Sequence, residues 1–366
     1  MRQIAAIEIN AIVKELQEAA GSYLKKFYDL GEGSYRMLFS STAGNKIIYI
    51  KLTQAINLTS IVEEVDEPTN FAKAVRKRLL GRKLKSIDQR FSDRIVIFEF
   101  EGEPGYKLIV EMFGKGNMII TDSNYLIEVA STLLHQKERA IAPKVIYQFP
   151  PSIKVDIEGI SEAHITEIVN SVSKSSERII KELSKNVDIG PTYLEDILLR
   201  SSTDPKSKGT DLKLQNVVIR NMVAFFKSVK TPKPTVYSKD GQFVDYAIVP
   251  LEKYKDYEST PYETVSKALE AFYLEARTRV DRNDDELREL EANVKRQRDL
   301  IGELDITEVE SAKAGHKIMS NMHKMNEIIN YISDKRRVTP EEISERFGVK
   351  VKSLDLKNKR IVIDLE

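Results

Sequence analysis

Apolar residues along this chain keep two different periods, and the places where the period changes divide it into segments. Between residues 5 and 20, Ile9, Ile12, Val13, Leu16 and Ala20 recur three or four apart, and Gly21 follows as a stop. That spacing predicts an amphipathic helix. The period then drops to two in "SYRMLFSS", "NKIIYIKL", "RIVIFEF", "YKLIVEMF" and "GNMIITD", separated by Gly-containing turns such as "LGEGS" and "AGN". These read as strands. In "FSDRIVIFEF", residues 91–100, Ile95, Ile97 and Glu99 share one face, while Val96, Phe98 and Phe100 share the other. One helical run, "NFAKAVRKRLLG", interrupts the strands and ends on Gly81. Strands joined by short loops point to an antiparallel sheet or a partly open barrel, so residues 1–152 are expected to be an α+β domain.

"APKVIYQFPPS", residues 142–152, is a rigid exit marked by prolines. Residues 153–231 return to helical spacing. Within them "NVDIGPTYLEDILLRS" places a Gly190-Pro191 turn before a helix with Tyr193, Ile197 and Leu198 inward. Such a turn can offer backbone N–H groups to a phosphate, or it can be an ordinary corner between helices. Residues 232–260 carry a "KDG" hairpin turn between "PTVYS" and "QFVDYAIVPL", expected to complete the first sheet and make the helical segment an insertion.

From Pro261 the spacing becomes heptad-like. Leu269, Tyr273, Ala276, Val280, Asn283, Leu287, Leu290, Val294, Gln297, Ile301 and Leu304 form one seam, and Ile318, Met322, Met325, Ile329 and Ile332 a second. Residues 261–335 are therefore expected to be a coiled-coil arm. The first seam is longer than the second, so a returning helix is expected beyond Glu366, and self-association at high concentration without it. Residues 336–366 open with "TPEE", Thr339 capping and Glu342 closing a capping box, and end in the strand-like "SLDL" and "RIVIDL", a small middle domain.

Charge changes the picture locally. The chain as a whole carries +1, yet Lys73, Arg76, Lys77, Arg78, Arg82, Lys83, Lys85 and Arg90 face a single acid, Asp88, a local charge of +7. A block of one sign in a neutral protein favours a polyanionic partner over a merely solvated helix face. The chain has no cysteine and no tryptophan, which excludes a disulfide framework and thiolate metal sites. Glu8, Lys14 and Glu15 interrupt the N-terminal apolar run, and no stretch reaches membrane-spanning length, so a soluble, cytoplasmic protein is expected. His316 and His323 lie seven apart on one helix face without a carboxylate at ligand spacing, and solvated positions are the better reading. No P-loop, dinucleotide fingerprint or Gly-flanked nucleophile serine occurs, so no cofactor and no enzyme are expected.

One pair stands out. Asp93 and Arg94 lie side by side where a core strand begins, and adjacent strand side chains diverge, so they are not a natural ion pair. On the strand alone, a turn-capping Asp93 and a solvated Arg94 are the simpler reading.

The stretches "IAAIEINAIVKEL", "NFAKAVRKRLLGRKLKSIDQRFSDRIVIFEF", "LIVEMFGKGNMIITD", "YQFPP" and "GPTYLEDILLR", in that order, resemble the N-terminal half of the NFACT family. The resemblance implies a glycosylase-like N-terminal sheet domain with helices, a helix-hairpin-helix domain, and a coiled coil with a small middle α/β domain. The family's C-terminal RNA-binding domain has no match here. Glycosylase chemistry does not carry over, because the chain starts Met1-Arg2-Gln3 rather than with proline and an acid. The resemblance further implies ribosome-associated quality control, with the large ribosomal subunit, peptidyl-tRNA and aminoacyl-tRNA as partners and an untemplated tail added to the stalled chain. The residues matching those the family needs for tRNA are Glu8, Asp93 and Arg94, with Arg76, Lys77 and Arg82 of the basic block as phosphate contacts. On this reading Arg94 grips a phosphate or base edge with its fork, and Asp93 accepts from an amine or a ribose hydroxyl. The alternative is an adhesin or coiled-coil scaffold without an RNA role.

Overall fold

The computed structural model describes residues 2–62, 68–135, 139–152, 157–335, 337–358 and 360–364, with side chains described except at 275–289 and 291. The chain forms two units, Met1–Thr278 and Arg279–Glu366.

The first unit is α+β. Helix α1 (Ala6–Leu16) buries Ile7, Ile9, Ile12, Val13 and Leu16, and Gly21 turns the chain at φ +80°. Four strands then meander antiparallel in the order β1 (Tyr23–Gly31), β2 (Ser34–Ser41), β3 (Gly44–Lys51) and β4 (Ala55–Thr59). Helix α2 (Asn70–Leu79) follows, capped by the Thr69 hydroxyl and ended at Gly81, φ +77°. A second antiparallel meander runs through β5 (Leu84–Gln89), β6 (Ile95–Phe100), β7 (Tyr106–Glu111), β8 (Asn117–Asp122) and β9 (Ile127–Ala130). A short pair, β10 (Leu134–His135) and β11 (Ala140–Ile141), lies beyond it. The two meanders share one core with α1: Phe39 of the first stacks on Phe100 of the second at 6.4 Å, between the buried Ile12, Leu16, Leu24 and Leu84. Side chains of β6 serve two cores. Val96, Phe98 and Phe100 join that one, while Ile95 packs with Ile109, Ile119 and Tyr147 on the other face.

Four helices follow, α3 (Glu162–Val172), α4 (Ile179–Asn186), α5 (Pro191–Arg200) and α6 (Gln215–Ser228). The hairpin β12 (Thr235–Lys239) and β13 (Gln242–Ala247) was expected to extend the first sheet. It forms instead its own sheet with β14 (Glu258–Pro261), ordered β13-β12-β14. It meets the segment before α1 through Arg2 to Asp245, and α1 itself through Glu8 to Tyr246, which alternation within the hairpin could not reveal.

Helix α7 (Val265–Ser320) begins in the first unit, where Leu269 is buried and Tyr273 donates to the Gln54 carbonyl. Along the first seam, the side chains of Ala276, Val280, Asn283 and Leu287 lie outside those described. Leu290, Val294, Ile301 and Leu304 are exposed. In the second unit, α8 (Met322–Asp334) corrects the expected second seam. Ile318, Met322 and Ile329 are exposed, and Ile328 is the buried position, packed with Ile332 against Val338 and Ile343. Val338 and Ile343 belong to a small α+β module, α9 (Pro340–Phe347) with the residues just before it, β15 (Lys350–Asp355) and β16 (Arg360–Asp364), whose docking buries Ile328 in place of Ile329 while Met325 and Ile332 keep the expected side. Thr339 caps α9 as the motif predicts, and Gly348 ends it at φ +59°. His316 and His323 are exposed, and no metal-competent cluster occurs among the described residues.

Candidate nucleic-acid interface

The β5–β6 hairpin, the N-terminal segment and the start of α5 converge on a cleft of about 320 Å³. It is lined by Arg2, Gln3, Ala5, Arg94, Asp188, Gly190 and Tyr193, among others. Local chemistry brings the walls together. Gly190 sits at φ +87°, and a Cβ there would meet the Ala5 Cβ at 2.8 Å, so only glycine lets α5 approach α1 this closely. Pro191 then starts α5 at its first helical position. The N–H groups of its first turn have no carbonyl within the helix to bind, which makes this end attractive to an anion.

Arg94 reaches into the cleft half-exposed and spends one donor on Gln3 Oε1 at 2.7 Å. Asp93, also half-exposed, accepts from the Ser152 hydroxyl at 2.6 Å, and its Oδ2 is buried without a hydrogen-bond partner among the described residues. Both residues lie in the turn before β6 (Ile95–Phe100) rather than in the strand, and they bond to different partners. Asp188 on the opposite wall has its carboxyl pushed up by burial and by the Asp93 charge, against the pull of Arg94. No motif announces Asp188 or Gln3, and sequence reasoning missed both. Within the lining, the Arg94 guanidinium and the N–H groups at the start of α5 are what could attract an anion, with Asp188 opposing them.

Glu8 requires a correction. It was expected to touch RNA, but it is fully buried and both its oxygens are occupied. Oε1 accepts from Arg2 at 2.5 Å and from the Tyr193 hydroxyl at 2.7 Å. Oε2 accepts from Arg2 at 3.0 Å, the Ala5 N–H at 2.8 Å and the Tyr246 hydroxyl at 3.1 Å. Arg2 also donates to Asp245 at 2.7 Å and to the Tyr246 carbonyl at 2.8 Å. Burial opposes the Arg2 charge, but the two carboxylates outweigh it and raise its pKa above the ordinary value. Burial and the Glu8 charge push the Tyr193 hydroxyl up, so it stays a donor. Glu8 therefore fastens the N-terminal segment, α5 and the β13 strand to one another and sets the width of the cleft from behind.

The basic block is also rearranged in space. Arg78 pairs with Glu128 at 3.1 Å, Lys83 with Glu101 at 3.2 Å and Lys85 with Glu99 at 2.8 Å. These acids lie outside the block in sequence, so the field is weaker than the local +7. Arg76 donates to the Phe27 carbonyl at 2.8 Å, and Arg82 to the Pro104 carbonyl at 2.6 Å while lying over the Tyr106 ring. Each side chain thus spends one nitrogen on a carbonyl of the fold and keeps its other donors, so both stay half-exposed beside the strands that they brace. Lys73 and Lys77 are exposed on α2, and Lys25 and Lys26 on β1, against which α2 packs.

A family model described as the NFACT N-terminal and middle domains matches residues 6–345. The archaeal Rqc2 homolog aRqcH of Methanocaldococcus jannaschii is 25% identical over 351 residues, covering 91% of this chain and 52% of that protein. The Rqc2 homolog RqcH of Bacillus subtilis is 25% identical over 302 residues, covering 74% of this chain and 50% of that protein. The chain thus spans about half the length of these curated relatives. Among solved structures, the N-terminal part of the fibronectin/fibrinogen-binding protein from Streptococcus suis superimposes with a TM-score of 0.60 at 21% identity, over 74% of this chain and 99% of that one. At that identity the likeness is one of fold.

Proposed function

The chain belongs to the NFACT family, and from that premise we propose that it serves ribosome-associated quality control as a binding protein. It would engage a large ribosomal subunit obstructed by peptidyl-tRNA and recruit aminoacyl-tRNA for untemplated tailing. The relatives named as Rqc2 homologs support the process. The observation that carries the RNA part is the cleft, where the Arg94 fork and the open end of α5 face each other across a space walled by Asp188.

In this reading Arg94 holds a backbone phosphate or a base edge, using the donors that Gln3 leaves unspent. The α5 N-terminus adds its N–H groups on the same side. Lys73, Lys77, Lys25 and Lys26 supply diffuse attraction that weakens with salt. Glu8 contributes through Tyr193 and Arg2 by holding the cleft open to one width. None of these roles breaks a bond, which suits recognition rather than catalysis.

A scaffold or adhesin role is favoured by one observation, the exposed Leu290, Val294, Ile301 and Leu304 of α7, which could serve a protein partner without RNA. Capture of RNA on the purified chain, with sequencing of what is retained, separates the two. Enrichment of tRNA over total RNA is the expected outcome. Retention of no RNA above an inert control would leave the scaffold reading.

A further inference from the structure

Phe91 stands at the tip of the β5–β6 hairpin, two residues before Asp93 and three before Arg94. Its backbone is left-handed at φ +47°, and 59% of its surface is exposed. Neither feature helps the fold. A bulky side chain in that conformation is strained by its Cβ, a cost that glycine would avoid. An exposed phenyl ring recovers little of that by burial. Tyr125 provides the contrast. It shares the conformation at φ +65°, but its ring packs edge-on against Phe149 at 5.3 Å and receives Lys107 at 4.4 Å.

The neighbours of Phe91 form a series. Tyr147, buried, meets Phe149 edge-on at 4.9 Å. The Arg90 guanidinium lies 3.6 Å from the Phe149 ring centre and 5.6 Å from that of Phe91. The run of rings and cation starts in the core on one face of β6 and ends on the exposed Phe91 ring, in the same turn as Arg94, which lines the cleft. An aromatic held there at a conformational cost, with its support rooted in the core, is built to receive another flat group.

We propose that Phe91 is a stacking platform for an unpaired nucleobase of the RNA whose backbone or base edge Arg94 holds; this rests on the RNA-binding reading above. A base suits the setting because it offers a flat face to the ring while its phosphate or edge reaches the neighbouring guanidinium. Stacking of this kind tolerates any base, so Phe91 selects unpaired over paired RNA rather than one sequence over another.

The test uses fluorescence anisotropy with two probes, an RNA stem–loop and a blunt duplex of the same stem. Phe91→Gly suits the backbone and should melt at or above the wild-type temperature. It should bind the stem–loop about 10-fold more weakly and the duplex as before, while Phe91→Trp keeps the stem–loop affinity. Unchanged stem–loop binding by Phe91→Gly, alongside a loss in Arg94→Ala, overturns the platform and leaves the RNA reading standing. An equal loss for both probes also overturns it, because the ring would then not sense unpaired bases. Wild-type protein that binds neither probe overturns the RNA reading and this inference with it.

Discussion

Glu8 and the Asp93–Arg94 pair lie on two sides of the same N-terminal segment, and the contrast between them separates building a site from touching its ligand. Glu8 makes five hydrogen bonds in complete burial. Asp93 and Arg94 are half-exposed and make one side-chain bond each to Ser152 and Gln3. In the sequence all three are charged residues at motif positions. Only burial and remaining hydrogen-bonding capacity tell a residue that holds walls together from one that can meet a partner. A carboxylate with every lone pair occupied has nothing left to offer a ligand.

The largest effect should therefore come from Glu8→Ala. It strands the partly buried Arg2 guanidinium beside Asp245 and removes the acceptor of two buried tyrosine hydroxyls. Breaking a buried pair from one side costs about 3–5 kcal/mol, so thermal unfolding should begin roughly 10 °C earlier. RNA affinity should suffer mainly because fewer molecules are folded. If Glu8→Ala melts like wild type and still loses RNA binding, the contrast collapses, and Glu8 must reach the ligand through a rearrangement of the cleft.

The Asp93→Ala/Arg94→Ala double variant should behave in the opposite way. Its losses to the fold are the bonds to Ser152 and Gln3, worth about 1 kcal/mol each at most where exposure lets water replace them. Its loss in tRNA affinity should reach roughly 1–3 kcal/mol for a bidentate contact. Calorimetry and binding on one preparation distinguish the outcomes. A lowered melting point with unchanged affinity per folded molecule would make the pair structural.

The same logic explains what was legible beforehand. Strands such as β2 and β8 were readable because short apolar, β-branched or aromatic runs bounded by glycine turns mark buried strands. Strand β1, "YLKKFYDLG", and β5, "LKSIDQ", were missed because lysines and acids line their exposed faces and dilute the alternation. On α8 the seam held at Met325 and Ile332 but named Ile329 where Ile328 is buried, since the module carrying Val338 and Ile343, not a helical partner, decides which side is covered. The Asp93–Arg94 pair was singled out from its position and the family resemblance, and Arg94 lines the cleft. Gln3 and Asp188 were not singled out, because the topology alone brings residues 3, 94 and 188 to one cleft. The charge block was overestimated for a similar reason: Glu99, Glu101 and Glu128 are distant along the chain and adjacent across strands.

That last point sharpens into a prediction of intermediate size. Sequence counts Lys73, Lys77, Lys83 and Lys85 as equals, whereas the structure leaves the first two exposed and pairs the others. Lys73→Glu/Lys77→Glu should weaken RNA binding and lower the slope of log affinity against log salt by about one for each phosphate no longer neutralised. Lys83→Glu/Lys85→Glu should change the slope less and disturb the strands they brace. Equal slopes for the two double variants would mean that the surface pairs open on binding and that the sequence count was the better guide.

The smallest effect should come from Asp188, and it tests whether the cleft is tuned as well as built. Its carboxyl is raised by burial and by Asp93, so the folded state holds that proton more tightly than the unfolded chain does. As pH climbs from the ordinary aspartate value, about 3.9, the unfolded chain loses its proton first. Stability then falls until the raised folded pKa is passed, and stays level above it. Asp188→Asn removes this cost, so it should stabilise the protein at neutral pH by under about 1 kcal/mol. Below the ordinary aspartate value, where both states are protonated in the wild type, the gain should vanish. The substitution also takes a negative charge from the wall facing Arg94, which should tighten RNA binding by about 0.5 kcal/mol at low salt. A stability gain of equal size at neutral and acidic pH would mean that packing, not titration, separates aspartate from asparagine there. A weakened RNA affinity would mean that Asp188 accepts a hydrogen bond from the ligand, placing it with Asp93 and Arg94 on the side that touches rather than with Glu8 on the side that holds.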